Sequence, residues 1–223
     1  MALFSALLQK HLFPKAKIIW DAHELYVDKN TTGFYVSTIV DLFLKFYGHR
    51  IDHVITINDS FKLIYKKKYF KNQPVDVVMN ATDFKEAIDI NHKSDLIPKS
   101  IKSNKKVLLF QGGLAKNRGI EQLLLAAKHI SDDWNIVFMG RGELEPLIIE
   151  TKKILKNIFL IPPVDQKDLF NWTSSADLGI IPYRNVNKNH LYCTPNKLWE
   201  FTNAGVPFIA CLLYTSPSPR DGL

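Results

Sequence analysis

Short apolar runs alternate along the chain with longer segments in which apolar residues recur every three or four positions. The first kind reads as buried strands and the second as amphipathic helices. Strands are predicted at 17–20, 53–57, 75–79, 106–110, 135–139, 158–161, 177–181 and 207–210, and helices at 3–12, 33–49, 59–70, 119–130, 143–156, 165–174 and 195–204. After Gly119, for example, Ile120, Leu123, Leu124, Ala127 and Ile130 fall on one helical face, as in a crossover helix packed on a sheet. Regular alternation of strand and helix predicts an α/β protein with parallel sheets.

The rhythm fails twice. Residues 81–105 are polar, interrupted by Pro98, and follow neither period. A domain boundary is expected there, with a first domain at 1–80 and a second at 106–210. Three strands precede the boundary and five follow it, so the first domain is expected to lack its opening βαβ units. From Cys211 the sequence CLLYTSPSPRDGL abandons the α/β pattern. Its segment LLYTSPSPRD resembles translated read-through of a sequencing adapter, so 211–223 is expected to be non-native and the second domain to be incomplete at its end. On this reading the chain has marginal stability and little activity by itself.

Composition narrows the classes. The sequence is 46% apolar and 23% charged, ordinary for a soluble globular protein. No apolar run approaches the roughly 20 residues needed to span a bilayer, and the first residues lack the features of a secretory signal, so a cytoplasmic location is expected. Two cysteines, Cys193 and Cys211, offer neither a disulfide framework nor metal-ligand spacing. The net charge of +7 is concentrated locally: Lys62, Lys66, Lys67, Lys68 and Lys71 fall within 60–72 without an acid, among Phe61, Leu63, Ile64, Tyr65, Tyr69 and Phe70. Two readings are open, a solvated basic helix face or a peripheral contact with anionic membrane. Nucleic acid is not expected as a partner.

Two segments carry chemistry. In 106–119, KVLLFQGGLAKNRG, an apolar strand ends at Gly112 and Gly113 and a helix opens about six residues later. The glycines allow a ligand to approach the backbone, the helix start offers N–H groups to an anion, and Arg118 could grip a diphosphate. A tight strand-to-helix connection would look the same. In 192–207, YCTPNKLWEFTNAGVP, Thr194 suits an N-cap, Pro195 the first helical position, Gly205 the C-terminal end and Pro207 a stop. Asn196 and Glu200 then share a face at i and i+4, where the carboxylate could accept from both hydroxyls of a ribose. An exposed glutamate paired with Lys197 is the alternative.

Taken together and in this order, the two segments resemble the family 4 glycosyltransferases, retaining enzymes of the GT-B fold. Gly112-Gly113-Leu114-Ala115-Lys116-Asn117-Arg118-Gly119 is similar to that family's Gly-Arg-Leu-x-x-x-Lys-Gly, with Gly113 where the family has arginine. FMGRGELEP at 138–146 is similar to its strand followed by Gly-x-Gly, and SSADLGIIPY at 174–183 to the strand before the donor loop. PNKLWEFTNAGVPFIA resembles a variant of the acidic donor motif, in which Glu200 is the second glutamate of an E-x7-E pair and Tyr192 stands in place of the first. IIWDAHELY at 18–26 places His23 where the family has a histidine facing the donor sugar, with Glu24 beside it.

The resemblance implies a GT-B-like pair of Rossmann-type parallel-sheet domains, the N-terminal one on the acceptor side and the C-terminal one binding the donor. It implies transfer of a sugar from a nucleotide-diphosphate sugar to an acceptor hydroxyl, on a glycan or a lipid-linked acceptor, with retention and without a metal or other cofactor. His23 and Glu24 would be catalytic. Gly112, Gly113, Arg118, Thr194, Pro195, Asn196, Lys197 and Glu200 would bind the donor, with Arg184 and Lys188 as further diphosphate contacts. Two other classes stay open, a sugar-nucleotide epimerase built on the same fold and a non-catalytic nucleotide-binding module.

Overall fold

The computed structural model describes residues 2–28, 33–81, 97, 101 and 104–211. The chain divides into two compact units, and the described parts of the first are 2–28, 33–80 and 185–194, those of the second 81, 97, 101, 104–184 and 195–211. Most of the 81–105 connection and the 212–223 tail lie outside the described residues.

In the first unit, helix α1 (Ala2–Leu12) leads to strand β1 (Ile19–Ala22), helix α2 (Phe34–Tyr47) to β2 (His53–Thr56), and α3 (Asp59–Lys68) to β3 (Val75–Val77). The strands form a parallel sheet in the order β1-β2-β3. Helix α3 starts where its sequence says it should: the Asn58 side chain accepts a hydrogen bond from Phe61 N at 2.9 Å. Phe61, Tyr65 and Phe70 turn into the core with Ile18, Leu44 and Val54. The basic face of α3 points outward, although Lys68 is bound at 2.6 Å to Asp41 of α2. β1 begins two residues later than its apolar run suggests. Asp52 takes the Ile18 N–H at 2.8 Å, and the ladder to β2 opens at Ile19 opposite His53.

The second unit contains β4 (Lys106–Gln111), α4 (Ile120–Ala126), β5 (Trp134–Met139), α5 (Glu145–Ile154), β6 (Ile158–Ile161), α6 (Gln166–Ser174), β7 (Leu178–Ile181), α8 (Asn196–Asn203) and β8 (Phe208–Ala210). All its strands are parallel, in the order β6-β5-β4-β7-β8. This is a doubly wound sheet whose winding reverses between β4 and β7, and ligands of such sheets bind outside the carboxyl ends of the strands at that reversal. β4 and β5 are buried almost from end to end, as central parallel strands must be when helices cover both faces.

The second domain does not run unbroken from 106 to 210. Between β7 and α8 the chain passes through 185–194, which groups with the first unit and forms a short helix, α7 (Lys188–Leu191), that periodicity does not mark. Polar side chains hold it there. Leu25 N donates to Asn189 Oδ1 at 2.6 Å, Asn58 Nδ2 donates to the Tyr192 carbonyl at 2.7 Å, and Lys188 N donates to Asp28 at 3.0 Å.

Two buried-edge carboxylates brace the first unit. Burial opposes ionisation of Asp41, but hydrogen bonds from Lys45, Lys68 and Tyr69 outweigh it and hold the group well below the usual carboxylate range. Hydrogen bonds from Lys10 and the Ile18 N–H lower Asp52 to about 2. Because the folded-state value lies below the unfolded one of about 3.9, this stabilisation is complete above pH ~4 and lost as pH falls through ~2. The Asp52 side chain is 26% exposed, so its contribution is discounted for solvent screening. Asp52→Asn should therefore lose on the order of 1 kcal/mol in urea unfolding at pH 7, with the difference vanishing near pH 2.

Candidate functional site

At the carboxyl ends of β4, β5 and β7 three loops lie almost in contact. Gly112 N donates to the Met139 carbonyl and Leu114 N to the Arg141 carbonyl, both at 2.9 Å, so the 112–114 turn is stitched to the end of β5. The backbone approach is closer than any side chain would permit. A Cβ on Gly140 would sit 1.9 Å from the Gly112 carbonyl oxygen, and one on Gly119 would sit 1.7 Å from that of Pro182. Gly119 is also in the left-handed region, with φ 77°, at the N-cap of α4. Arg184 N donates to the Asn117 carbonyl at 3.1 Å, completing a floor made of 112–119, 140–142 and 182–184.

Three side chains meet at one ring above this floor. Tyr183 is 6% exposed, the Arg118 guanidinium lies 4.3 Å from its ring centroid, and Lys197 Nζ lies 4.9 Å from the same centroid. Lys197 Nζ is also 4.4 Å from the Phe110 ring and would be 3.1 Å from a Cβ at Gly112. Two cations thus converge beside the Gly112 turn, each held by an aromatic face; such contacts contribute about 2 kcal/mol when desolvated.

Lys197 stands in the first turn of α8, whose start differs by one position from the sequence reading. Pro195, with φ −69° and ψ 138°, is still extended and is itself the N-cap, so it is not the first helical residue and Thr194 is not the cap. The pyrrolidine ring fixes φ at a value that suits either position, and ψ decides. Thr194 is buried and groups with the first unit. No side chain caps α8, and Leu198 N closes its first turn on the Pro195 carbonyl at 3.0 Å.

Glu200 is not a surface glutamate paired with Lys197. Its half-buried carboxylate accepts from Gln111 Nε2 at 2.6 Å, while Lys197 turns the other way, toward Phe110 and Tyr183. Asn196, expected on the Glu200 face, is exposed at the helix start. Gln111 and its second partner, the buried Thr173, were not singled out by the sequence. A lone glutamine closing an apolar strand is the only signal the sequence offers.

The remaining candidates are spread over both units. Gly113 is exposed, with open space where a side chain would extend. Arg184 is exposed in the second unit, whereas Lys188 belongs to the first. His23 directly follows β1 in the first unit, with Nε2 2.8 Å from Asp21 Oδ2, and Glu24 accepts the Tyr65 hydroxyl at its backbone carbonyl at 2.7 Å. Tyr192 packs on the first unit's core. Among the described residues no group of three or more His, Cys, Asp or Glu side chains could hold a metal ion, and no helix is long and apolar enough to cross a membrane.

The fold is that of the GT-B glycosyltransferases, with paired Rossmann-like units built on parallel sheets. The sequence matches the family described as Glycosyl transferases group 1 over residues 93–214, more than half of the chain, and the protein belongs to that family. No curated protein sequence matches it. Solved structures agree on the fold at low identity. TarM of S. aureus, in complex with fondaparinux, alpha-GlcNAc-glycerol and UDP, superposes with a TM-score of 0.67 at 13% identity, over 92% of this chain and 38% of its own. Sucrose-phosphate synthase from Thermosynechococcus elongatus gives 0.68 at 15%, over 90% and 52%. Anabaena HepE in complex with UDP-glucose gives 0.64 at 13%, over 94% and 57%. The chain therefore spans between about two fifths and three fifths of the length of these proteins.

The close approach at Gly119 supplies a stability test. Gly119→Ala combines a left-handed φ with a clash against fixed backbone and should cost about 3 kcal/mol or more. Gly113→Ala meets nothing within 4 Å and should stay within about 0.5 kcal/mol. Urea unfolding followed by circular dichroism compares the two; equal losses would refute the assignment of strain to residue 119.

Proposed function

We propose that this protein transfers a sugar from a nucleotide-diphosphate sugar to an acceptor hydroxyl, and that the second unit holds the donor. One observation carries the reading. A single helix, α8, brings Lys197 to the Gly112 turn and Glu200 to the end of β4, at the point where the sheet's winding reverses. The cationic end suits a diphosphate, beside Arg118 and the uncapped amides of the helix. The acidic end suits a ribose, whose two hydroxyls would donate to Glu200.

In the chemistry we propose, charge develops on the diphosphate as the glycosidic bond breaks, and Arg118, Lys197 and the α8 amides stabilise it. Preorganised donors of this kind supply much of an enzyme's rate enhancement. The proposal uses no metal and assigns retention of configuration at a hexosyl donor. His23 and Glu24 are its catalytic candidates in the first unit, and Arg184 and Lys188 its auxiliary cations. The acceptor is a glycan or a lipid-linked sugar, and Lys66 and Lys67, exposed on α3, would favour an anionic membrane surface. Structures of TarM and HepE with UDP support uridine nucleotides as the first donors to try.

Calorimetric titration tests both ends of the site. Glu200→Gln keeps the shape but removes charge-assisted acceptance, a loss of about 1.5–3 kcal/mol or roughly tenfold to a hundredfold in UDP affinity. A 2′,3′-dideoxy nucleotide should be indifferent to the change. An equal loss for both nucleotides would exclude a ribose contact. Arg118→Ala should weaken UDP far more than uridine, and equal weakening would exclude a phosphate role.

A further inference from the structure

Gln111 ends a strand whose five preceding residues are Lys-Val-Leu-Leu-Phe, and its side chain is 2% exposed. A buried amide is costly unless both its ends are satisfied. Here both are. Nε2 donates to Glu200 Oε2 at 2.6 Å, and Oε1 accepts from the Thr173 hydroxyl at 2.9 Å. Thr173 is fully buried on α6, where its hydroxyl also lies 2.8 Å from the Leu169 carbonyl. Chemistry fixes the orientation of the amide. An ionised carboxylate can only accept, so the NH2 group must face Glu200 and the carbonyl must face Thr173. A reversed amide would set two oxygens against each other.

This arrangement does more than satisfy buried groups. Glu200 is the residue on α8 whose carboxylate the ribose reading uses, and a glutamate side chain in a helix has several rotamers at its disposal. The Gln111 donor selects one of them by engaging Oε2. Among the described residues Oε1 accepts no hydrogen bond, so this oxygen and the unused lone pair of Oε2 remain for a ligand. We propose that Gln111 is a positioning residue for nucleotide recognition. It holds the Glu200 carboxylate in the orientation that accepts a ribose diol, and the Thr173 hydroxyl, whose one proton is shared between the Gln111 Oε1 and Leu169 carbonyl oxygens, braces the Gln111 amide from its other side. The inference rests on the donor-site reading above and adds to it two residues that do not themselves touch the nucleotide.

The test is a double-mutant cycle on the full 223-residue chain. UDP, ADP and GDP are titrated calorimetrically, each with its 2′,3′-dideoxy counterpart, and the tightest-binding base is carried forward. Gln111→Met keeps the volume and removes the donor. It should weaken the ribonucleotide about tenfold, the scale of one charge-assisted hydrogen bond, leave the dideoxy nucleotide unchanged, and add little in a Glu200→Gln background. A merely structural role would weaken both nucleotides alike and would be additive with Glu200→Gln. Either of those results, or no loss at all while Glu200→Gln retains its ribose-dependent loss, overturns the positioning role alone. Absence of a ribose-dependent loss in Glu200→Gln, or binding of none of the three nucleotides, overturns the donor-site reading beneath it. If Gln111→Met unfolds, Thr173 decides. Thr173→Ser keeping ribonucleotide affinity while Thr173→Val loses it selectively supports the relay, and equal behaviour of the two overturns it.

Discussion

The second unit depends on backbone approaching backbone at the carboxyl end of its sheet. The Gly140 α-carbon sits against the Gly112 carbonyl and that of Gly119 against the Pro182 carbonyl, both too close for a Cβ. These approaches let the loops after β4, β5 and β7 form one floor instead of three separate turns. The position of every side chain above it follows. Tyr183 immediately follows the Pro182 that closes on Gly119, and Arg118 immediately precedes Gly119, so the guanidinium meets the tyrosine ring. Had either loop been displaced by the width of a methyl group, the two would not be in register. The site's rigidity is therefore backbone rigidity, which is the kind that positions charges best.

Local patterns made most of this architecture legible. Each of the eight described strands overlaps a predicted apolar run, β1 with an offset of two residues, and the match is best for β4 and β5, because central parallel strands covered on both faces are continuously apolar. The helix after Pro195 was legible from its punctuation, with an error of one position at the start because φ of proline fits both the cap and the first turn. Helix α7 was not legible. Four residues are too few for a period, and it is held by Asn187 as its cap and by the distant Asn58 and Leu25 instead of by an apolar face. Its one local trace is that cap, with Asn187 Oδ1 accepting from His190 N at 2.7 Å.

The candidate site was legible by half. Glycines and a cation after a strand, or a glutamate on a capped helix, are short-range signals that a sequence carries openly. Partnership is long-range: Gln111 and Glu200 lie 89 positions apart, and Gln111 and Thr173 lie 62 apart. Nothing in KVLLFQ says that its last residue will face a carboxylate. Only the sheet order, which sets β4 next to β7 and so places α6 and α8 around the end of β4, brings the three together. On the sequence alone a Glu200–Lys197 pair is a simple use of two opposite charges on one helix, and the fold gives Glu200 to Gln111 instead.

That override has an electrostatic consequence. Opposite charges three residues apart on a helix normally attract each other by a few tenths of a kcal/mol, and pairing them here would neutralise both. Here the two side chains take other partners. Lys197 lies over the Phe110 and Tyr183 rings, whose faces attract a cation, and Glu200 accepts a hydrogen bond from the Gln111 amide. The helix thus carries a cationic side chain in its first turn and a carboxylate three residues further on. On the proposed donor reading, a nucleoside diphosphate would engage both groups, its phosphates the cation and its diol the carboxylate, whereas a simple anion or a simple sugar would engage only one.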